Sequence, residues 1–287
     1  MSVIEQIANI RAYEPEKIAQ ALKKRPKAQI PKDQKLLIIA CDHPARGALG
    51  AGRKPMAMGS REDLLERCAE ALSRPGVHGF LGTAEMIEDL TLMGALDNKL
   101  VWGSMNRGGL QHSKFEMDDR FNCYTPKGIE EAGLNGGKTL SRINFEDPAT
   151  VATLESTAQA INQLAERKLT AMVEPFISEW KNGTVVNNLS TDAVIRSITI
   201  AAGLGTTSAY TWLKLPCVDN MERVMASTTL PSLILGGEVP DDPDEALKGW
   251  AGALKLPNVK GLVIGRSLLF PPTGTVSEAV DATVSLL

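Results

Sequence analysis

The stretch SAYTWLKLPCVDNMERVMASTTLPSLILG, residues 208–236, contains two apolar segments with a short amphipathic segment between them. Ser208–Pro216 is rich in aromatic and β-branched residues, and Ser232–Gly236 is almost wholly apolar. Both segments are typical of buried strands, while Asp219–Met225 has the pattern of a short helix. A strand, a helix and a second strand in this order predict one unit of a parallel sheet.

The same alternation extends along the rest of the chain. The other strand-like segments are Lys35–Cys41, Val77–Leu81, Lys99–Ser104, Gly137–Ile143, Thr170–Glu174 and Gly261–Gly265. Helical patterns lie between most of them, and no change of composition marks a linker. Eight strands in alternation with helices predict an α/β fold, a single (β/α)8 TIM barrel over residues 1–287. We expect residues 1–34 to form an N-terminal extension with one extra helix, Glu14–Arg25, and residues 35–287 to form the barrel.

The composition is that of an ordinary globular protein, with 43% hydrophobic and 23% charged residues. A net charge of −3 gives no electrostatic argument for nucleic acid, and no apolar run is long enough to predict a membrane partner. The N-terminus lacks a secretion pattern, and the four cysteines lack C-x-x-C spacing, so we expect a cytoplasmic protein with reduced thiols. With three histidines and no H-E-x-x-H motif, neither a zinc site nor a cofactor is predicted. A magnesium site made of carboxylates is left open.

Polar residues stand where the predicted strands end. In a barrel of this kind such side chains line the mouth in which the active site lies. They are Asp42 and His43 after the first strand, Arg107 after the third, Lys138 and Arg142 on the fourth, Glu174 on the fifth and Lys214 on the sixth. The irregular region from Asn106 to Tyr124 is predicted to be a loop over this carboxyl-terminal face.

Lys214 is the candidate nucleophile. A buried lysine is costly when it is charged, and a neutral lysine amine forms Schiff bases with carbonyl compounds. A second lysine nearby, Lys138, would favour the neutral amine by repulsion, and Asp42 or Glu174 could move protons. Each residue also has a simpler explanation. Either lysine can pair with a carboxylate (Lys214 can also extend to water), Asp42 can cap a helix, and Glu174 can accept a structural hydrogen bond.

Glycines follow the last two predicted strands. Gly236, Gly237 and Gly265 would let backbone N–H groups approach an anion closely, and Arg266 can bind phosphate through two hydrogen bonds. Phosphate-binding sites of such barrels lie at this position, so the pattern predicts a phosphorylated small-molecule substrate. The alternative is that Gly236 and Gly237 only form a tight turn.

Together these residues resemble the class I aldolase superfamily of deoxyribose-phosphate, tagatose-bisphosphate and archaeal fructose-bisphosphate aldolases, over about residues 35–272. The segments that carry the resemblance are Leu37–His43 with Arg46 and Gly47, Gly133–Lys138, Val173–Phe176, Trp212–Lys214 and Ile264–Ser267. The resemblance implies that Lys214 is the Schiff-base nucleophile and Lys138 its electrostatic partner. It also implies that Asp42 and Glu174 carry protons or bind substrate, and that Gly236, Gly237, Gly265 and Arg266 hold phosphate.

The chain departs from that pattern in three places. Pro44 and Ala45 precede Arg46, Leu215 and Pro216 follow the lysine, and the loop His112–Tyr124 has no counterpart in the family. The most similar subfamily is associated with bacterial inositol breakdown. It implies cleavage of 2-deoxy-5-keto-gluconate 6-phosphate into dihydroxyacetone phosphate and malonate semialdehyde, with Arg142 or Arg107 on the carboxylate and His43 among the binding residues. Proteins of this group form dimers, tetramers or decamers, so a homo-oligomer is also implied.

Two other functions are compatible with the same residues. One is a different Schiff-base barrel enzyme, such as a transaldolase, an acyl transferase or an isomerase. The other is a phospho-sugar-binding protein without activity. Both lysines and both acids are present together, which favours an enzyme because a degenerate site usually loses at least one such residue.

Overall fold

A computed structural model describes residues 1–239 and 242–287, and a nine-stranded sheet lies at the centre of this part of the chain. The strands are β1 (Leu36–Cys41), β2 (Gly79–Gly82), β3 (Leu100–Ser104), β4 (Gly136–Ile143), β5 (Thr170–Lys181), β6 (Thr184–Asn187), β7 (Thr211–Pro216), β8 (Ser232–Leu235) and β9 (Val259–Ile264). The hydrogen-bonded order is β4–β3–β2–β1–β9–β8–β7–β5, and pairing of β4 with β5 closes the ring. All eight strands of the ring are parallel, which confirms the predicted (β/α)8 barrel.

Helices cover the outside of the barrel. They are α1 (Val3–Tyr13), α2 (Glu16–Lys24), α3 (Arg61–Ser73), α4 (Ala84–Leu92), α5 (Pro126–Glu131), α6 (Ala149–Glu166), α7 (Thr191–Ala202), α8 (Met221–Met225), α9 (Pro243–Leu254), α10 (Arg266–Leu269) and α11 (Val276–Val284). A 3-10 turn spans Pro44–Arg46. In the described parts of the chain, none of these helices combines the length and apolar character needed to cross a membrane.

The N-terminal extension contains two helices where the sequence analysis predicted one. The side chain of Ser2 accepts a hydrogen bond from the backbone N–H of Glu5, so it caps the start of α1. Pro15 stands directly before α2, where its fixed φ suits a helix start and ends any continuous helix from α1. The predicted helix Glu14–Arg25 therefore corresponds to α2 alone.

The fifth strand is longer than predicted because it is one arm of a hairpin. β5 continues to Lys181 and pairs antiparallel with β6, which lies outside the ring. Asn182 and Gly183 connect them with φ values of 51° and 78°. An Asn-Gly turn between two strands is a strong local hairpin signal, and the sequence analysis overlooked it.

Side chains alternate between the barrel interior and the helices. On β1, Leu36, Ile38 and Ala40 face the interior and pack with Trp102 and Met172. Leu37, Ile39 and Cys41 face the helices and belong to the larger outer core. This period of two is the ordinary geometry of a strand. It assigns Asp42, directly after β1, and the inward positions of the other strands to the mouth of the barrel.

Gly261 on β9 permits the close pairing of β9 with β1. Its φ is +149°, and a Cβ atom there would lie 2.2 Å from the carbonyl oxygen of Leu36. We expect Gly261→Ala to lower the free energy of unfolding by about 2 kcal/mol or more, because the backbone conformation and the strand pairing would both be strained. Urea denaturation of wild type and variant measures the difference.

Gly252→Ala is the matched control. Gly252 lies in α9, and a Cβ there would meet no atom within 4 Å. This substitution should leave stability unchanged or raise it by up to about 1 kcal/mol, because alanine is the better helix former. Equal unfolding midpoints for the two variants would contradict the importance assigned to Gly261.

Candidate active site

A cavity of about 470 Å³ opens at the carboxyl ends of the strands. This is the end at which barrel enzymes carry their active sites. Every site residue predicted from the sequence lines it: Asp42, His43, Arg107, Lys138, Arg142, Glu174, Lys214, Gly236, Gly237, Gly265 and Arg266. The roles predicted for these residues depend on their contacts within the cavity.

Two lysines and two carboxylates form a continuous buried chain. Lys214 Nζ donates a hydrogen bond to Glu174 Oε1 at 2.5 Å, and Lys138 Nζ is paired with the other oxygen, Glu174 Oε2. Lys138 Nζ also donates to Asp42 Oδ2 at 3.2 Å. Charges therefore alternate in the order Lys214, Glu174, Lys138, Asp42, so the two ammonium groups are bridged by one carboxylate.

Both carboxyl groups of this chain are ionised at neutral pH. Burial alone would raise their pKa values, but Arg107 and Lys138 hold the pKa of Asp42 well below its usual value. In the same way, Lys138 and Lys214 outweigh burial and lower the pKa of Glu174 to about 2. Asp42 and Glu174 are therefore negatively charged in the resting site, and each becomes a stronger base when a neighbouring cation loses its charge.

Lys138 is a more acidic ammonium group than an ordinary lysine. Burial, reinforced by the positive charge of Arg107, lowers the pKa of Lys138 to about 8 in spite of its two carboxylate partners. A pKa this close to neutrality allows an amine to exchange a proton with its neighbours during a reaction cycle.

Ser104 and Arg107 complete the surroundings of Asp42. Ser104 Oγ donates to Asp42 Oδ2 at 3.0 Å, and Arg107 Nη2 lies 3.3 Å from the same oxygen. Within the described residues, Asp42 Oδ1 and Arg107 Nη2 have no hydrogen-bond partner although both are buried. The sequence analysis missed Ser104. The signal that could have found it is its position as the last residue of the predicted third strand.

His43 stands between this cluster and Arg266. Burial and the charge of Arg266 lower the pKa of His43 to about 3, so its imidazole is neutral at physiological pH. Its Nδ1 is 3.9 Å from Asp42 Oδ1, beyond hydrogen-bonding distance. His43 can therefore offer a neutral donor or acceptor to a ligand.

The glycines after β8 and β9 serve close packing as well as a turn. A Cβ on Gly265 would lie 2.3 Å from the carbonyl oxygen of Ala40, and one on Gly236 would lie 2.7 Å from Ile264. Gly237 has a φ of 69° and open space beside it, so its requirement is the left-handed turn. The alternative that these glycines only form a tight turn therefore explains Gly237. All three glycines nevertheless line the cavity.

Arg266 is engaged by a carboxylate at this end of the cavity. Its Nη1 and Nη2 each donate to one oxygen of Glu238 at 2.8 Å. The side chain of Arg266 is largely buried, whereas that of Glu238 is 81% exposed. A carboxylate held so near the surface is readily replaced by another anion.

Each of the three guanidinium nitrogens of Arg142 has a partner within the protein. Nε and Nη2 donate to the two oxygens of Asp119 at 2.9 and 2.6 Å. Nη2 also donates to the carbonyl oxygen of Glu116, and Nη1 lies 3.5 Å from the Glu116 carboxylate. Arg142 therefore anchors the loop after β3 to the end of β4, a role that the sequence analysis did not foresee.

Side chains of this protein neutralise the carboxylates of the cavity. Asp42 and Glu174 contact lysines, while Glu116 contacts arginines, as does Asp119 behind the cavity wall. Across residues 1–239 and 242–287, no group of three or more histidine, cysteine, aspartate or glutamate residues is arranged to hold a metal ion. The carboxylate magnesium site that the sequence left open is not found in this part of the chain.

The β5–β6 hairpin supplies a wall that the sequence analysis missed. Val185, Val186 and Asn187 of β6 line the cavity together with Leu189. The Asn182-Gly183 turn is the signal from which this wall could have been inferred.

The fold and the cavity define a class: (β/α)8-barrel proteins with a buried lysine–carboxylate cluster at the carboxyl ends of the strands. The model of the family described as Cgl0159-like matches residues 34–284. The crystal structure of Cgl0159 from Corynebacterium glutamicum (Brevibacterium flavum) is 53% identical and has a TM-score of 0.96, over 99% of this chain and 96% of that one. The chain belongs to the Cgl0159-like family.

More distant structures share the fold. A Schiff-base-forming fructose-1,6-bisphosphate aldolase is 17% identical, with a TM-score of 0.65 over 94% of this chain and 99% of that one. An archaeal fructose 1,6-bisphosphate aldolase is 15% identical, with a TM-score of 0.66 over 94% of this chain and 98% of that one. No protein of curated function matches the sequence significantly.

Two substitutions should move the pKa of Lys138 in opposite directions. Glu174→Gln removes a carboxylate that favours the ammonium form, so the pKa should fall below about 8. Arg107→Met removes a repelling cation, so the pKa should rise. Titration of the Lys138 ¹⁵Nζ resonance, assigned by its loss in Lys138→Arg, measures both shifts. A shift of the same sign in the two variants would refute this description of the cluster.

Proposed function

We propose that the protein is a class I aldolase that cleaves a phosphorylated keto-sugar or keto-sugar acid through a Schiff base on Lys214. The observation that carries the proposal is the buried chain of Lys214, Glu174, Lys138 and Asp42 at the mouth of the barrel. It combines an amine nucleophile with two ionised carboxylates that can move protons.

Lys214 is a better candidate for the nucleophile than Lys138. Lys138 is held between two carboxylates, Asp42 and Glu174, whereas Lys214 contacts one. An amine with a single partner retains a direction from which it can attack a bound carbonyl carbon. Lys138 then acts as a fixed positive charge that stabilises the carboxylates and can exchange protons.

The reaction follows from these positions. After transfer of its proton to Glu174, the Lys214 amine adds to the ketone to give a carbinolamine. Glu174 returns this proton to the carbinolamine hydroxyl group, which leaves as water, so that an iminium ion forms and Glu174 is again a carboxylate. A carboxylate, Asp42 or Glu174, takes the proton of the hydroxyl group on the carbon β to the iminium carbon. The bond between the α and β carbons breaks, its electrons pass to the iminium, and an aldehyde leaves. Protonation of the resulting enamine and addition of water release the ketone product and restore the free lysine.

The other end of the cavity suits a phosphate group. Arg266 is largely buried, lines the cavity and is opposed by an exposed carboxylate that an anion can replace. Gly237 and Gly265 bring backbone into the same wall. A substrate phosphate here would place the adjacent keto carbon toward Lys214.

Two other findings support the proposal. The more distant barrels include a fructose-1,6-bisphosphate aldolase described as Schiff-base-forming and an archaeal one whose catalytic lysine is covalently bound to a carbinolamine intermediate.

Among keto-sugar acids, we propose 2-deoxy-5-keto-gluconate 6-phosphate as substrate, with dihydroxyacetone phosphate and malonate semialdehyde as products. It carries its phosphate beside the ketone and an acid at the opposite end.

Borohydride trapping with dihydroxyacetone phosphate tests the proposal. With EDTA present, we expect one reduced adduct on the peptide that contains Lys214, since the ketone product should form the same iminium. Lys214→Met should abolish the adduct and lower cleavage by at least about a thousand-fold. Lys138→Met should still form the adduct on Lys214, more slowly. Labelling of Lys138 in the wild type, or no adduct at all, would refute the proposed mechanism.

Arg266 and Glu238 should affect phosphate binding in opposite directions. Arg266→Ala should weaken dihydroxyacetone phosphate binding about tenfold or more, because a charge-assisted contact is lost. Glu238→Gln removes a competing carboxylate and should tighten binding by up to about fivefold, since an exposed ion pair contributes little. Calorimetric titration measures both. Unchanged affinity in Arg266→Ala would contradict the assignment of the phosphate end.

A further inference from the structure

The cavity contains a second group of charged side chains, the arginine cluster formed by Arg46, Arg107, Arg142, Glu116 and Asp119. It lies around the loop after β3. Glu116 contacts both Arg46 and Arg142, Arg142 also contacts Asp119, and Arg107 is close enough to Arg46 for their charges to repel. Four of the five line the cavity, the exception being Asp119. The catalytic steps above leave this cluster without a role.

The cluster carries an excess of one positive charge. Arg46 and Arg142 contact the carboxylates of Glu116 and Asp119, whereas Arg107 Nη2 lies 3.3 Å from Asp42 Oδ2. Asp42 is shared between Arg107 and Lys138, so the charges are counted over the cluster and its neighbours Asp42, Glu174, Lys138 and Lys214 together. Five cationic side chains then face four carboxylates, and the excess of one positive charge remains. Buried charges are stable when they are matched, and one monoanionic group would match this cluster.

Arg142 is not available to a ligand. As described above, its nitrogens are occupied by Asp119 and by Glu116. Gly109 allows this packing, since a Cβ there would lie 2.1 Å from the carbonyl oxygen of Glu116 and 2.3 Å from Arg142 Nη2. The Arg142–Asp119 ion pair therefore holds the loop after β3 against β4.

Arg107 lines the cavity and has a donor nitrogen that makes no hydrogen bond within the described residues. Its backbone N–H donates to Asn122 Oδ1 at 2.8 Å and its Nε to the carbonyl oxygen of Asn106 at 2.8 Å, so the side chain is fixed in place. The side chain is only 3% exposed, and within the described residues Nη2 makes no hydrogen bond. Its one charged neighbour given above, Asp42 Oδ2 at 3.3 Å, does not accept a hydrogen bond from it. A buried guanidinium nitrogen without a hydrogen bond is uncommon, because such a donor is costly to leave unsatisfied.

Arg46 also lines the cavity, and its contact with the carboxylate of Glu116 is long. Its Nε donates to the carbonyl oxygen of Gly109 at 2.9 Å, while its Nη2 shares Glu116 Oε1 with Arg142 at 3.3 Å. The other oxygen, Glu116 Oε2, accepts from the backbone N–H of His112 at 2.8 Å. Glu116 therefore cannot neutralise Arg46 and Arg142 together.

We infer that Arg107 and Arg46 bind a terminal carboxylate of the substrate, so that the protein acts on a keto-sugar acid phosphate and not on a sugar bisphosphate. A carboxylate carries the single negative charge that the cluster lacks and can accept hydrogen bonds from two guanidinium groups. A second phosphate, with a charge near −2, would reverse the imbalance. The inference rests on the proposed function for the orientation of the substrate, with its phosphate at Arg266.

The test uses three ligands that cannot form a Schiff base: 6-phosphogluconate, sorbitol 6-phosphate and sorbitol 1,6-bisphosphate. The first two differ only in a carboxylate against a hydroxymethyl group at the end away from the phosphate. Calorimetry should show that the wild type binds 6-phosphogluconate at least about tenfold more tightly than sorbitol 6-phosphate. It should also bind 6-phosphogluconate more tightly than the bisphosphate.

Substitutions assign the preference to the two arginines. Arg107→Gln and Arg46→Gln should each reduce the ratio of the two monophosphate affinities to about threefold or less. Arg120→Gln is the control, because Arg120 lies in the same loop with a side chain that is 78% exposed. It should keep the wild-type ratio. The ratio is informative even where a variant weakens both ligands, and circular dichroism with thermal unfolding shows whether each variant is folded.

Three results would overturn the inference: equal binding of the two monophosphates by the wild type, tighter binding of the bisphosphate, or an unchanged ratio in both arginine variants. None of these depends on turnover. Failure of borohydride trapping with the carboxylate preference intact would refute the aldolase and leave the acid recognition standing. A borohydride-trapped adduct on Lys214 without a preference for the carboxylate ligand would support the aldolase and refute the acid recognition.

Discussion

The carboxylate of Glu174 connects the two lysines of the barrel mouth, with one oxygen on Lys214 and the other on Lys138. Without this carboxylate, the two buried ammonium groups would repel each other, and nothing would compensate for the hydration that they lose on burial. Removing one partner from a buried ion pair costs about 3–5 kcal/mol, because the remaining charge is left uncompensated. Asp42 balances the second lysine in the same way. The chemistry proposed for the site, a proton-exchanging amine beside ionised carboxylates, depends on this arrangement.

The barrel holds the cluster between two apolar layers. Met172 and Trp212 are neighbours in the sheet, and each is followed two residues later by an inward-facing charged residue, Glu174 on β5 and Lys214 on β7. Above the charged layer, Leu140, Phe176 and Leu235 pack together. Charges in such a layer interact strongly because little water screens them. The same environment would protect the proposed iminium intermediate from early hydrolysis.

Much of this site could be predicted because strand alternation is a local property. Asp42, Lys138, Glu174 and Lys214 occupy inward positions that follow from a period of two and from the order of the strands. The contacts that decide whether an arginine can bind a ligand join residues far apart in the sequence. Arg142 is occupied by Asp119, which lies 23 residues earlier in a loop without regular structure, and Arg266 by Glu238. The hairpin wall was predictable from Asn182 and Gly183, whereas the Arg107 nitrogen that makes no hydrogen bond could be found only in three dimensions.

The most direct test of the central claim is a crystal structure of the protein soaked with dihydroxyacetone phosphate. The account predicts continuous electron density from Lys214 Nζ to the keto carbon of the ligand, with Glu174 within hydrogen-bonding distance and the phosphate at Arg266. Density joined to Lys138, or a ligand bound without a covalent bond while Lys214 stays paired with Glu174, would contradict it.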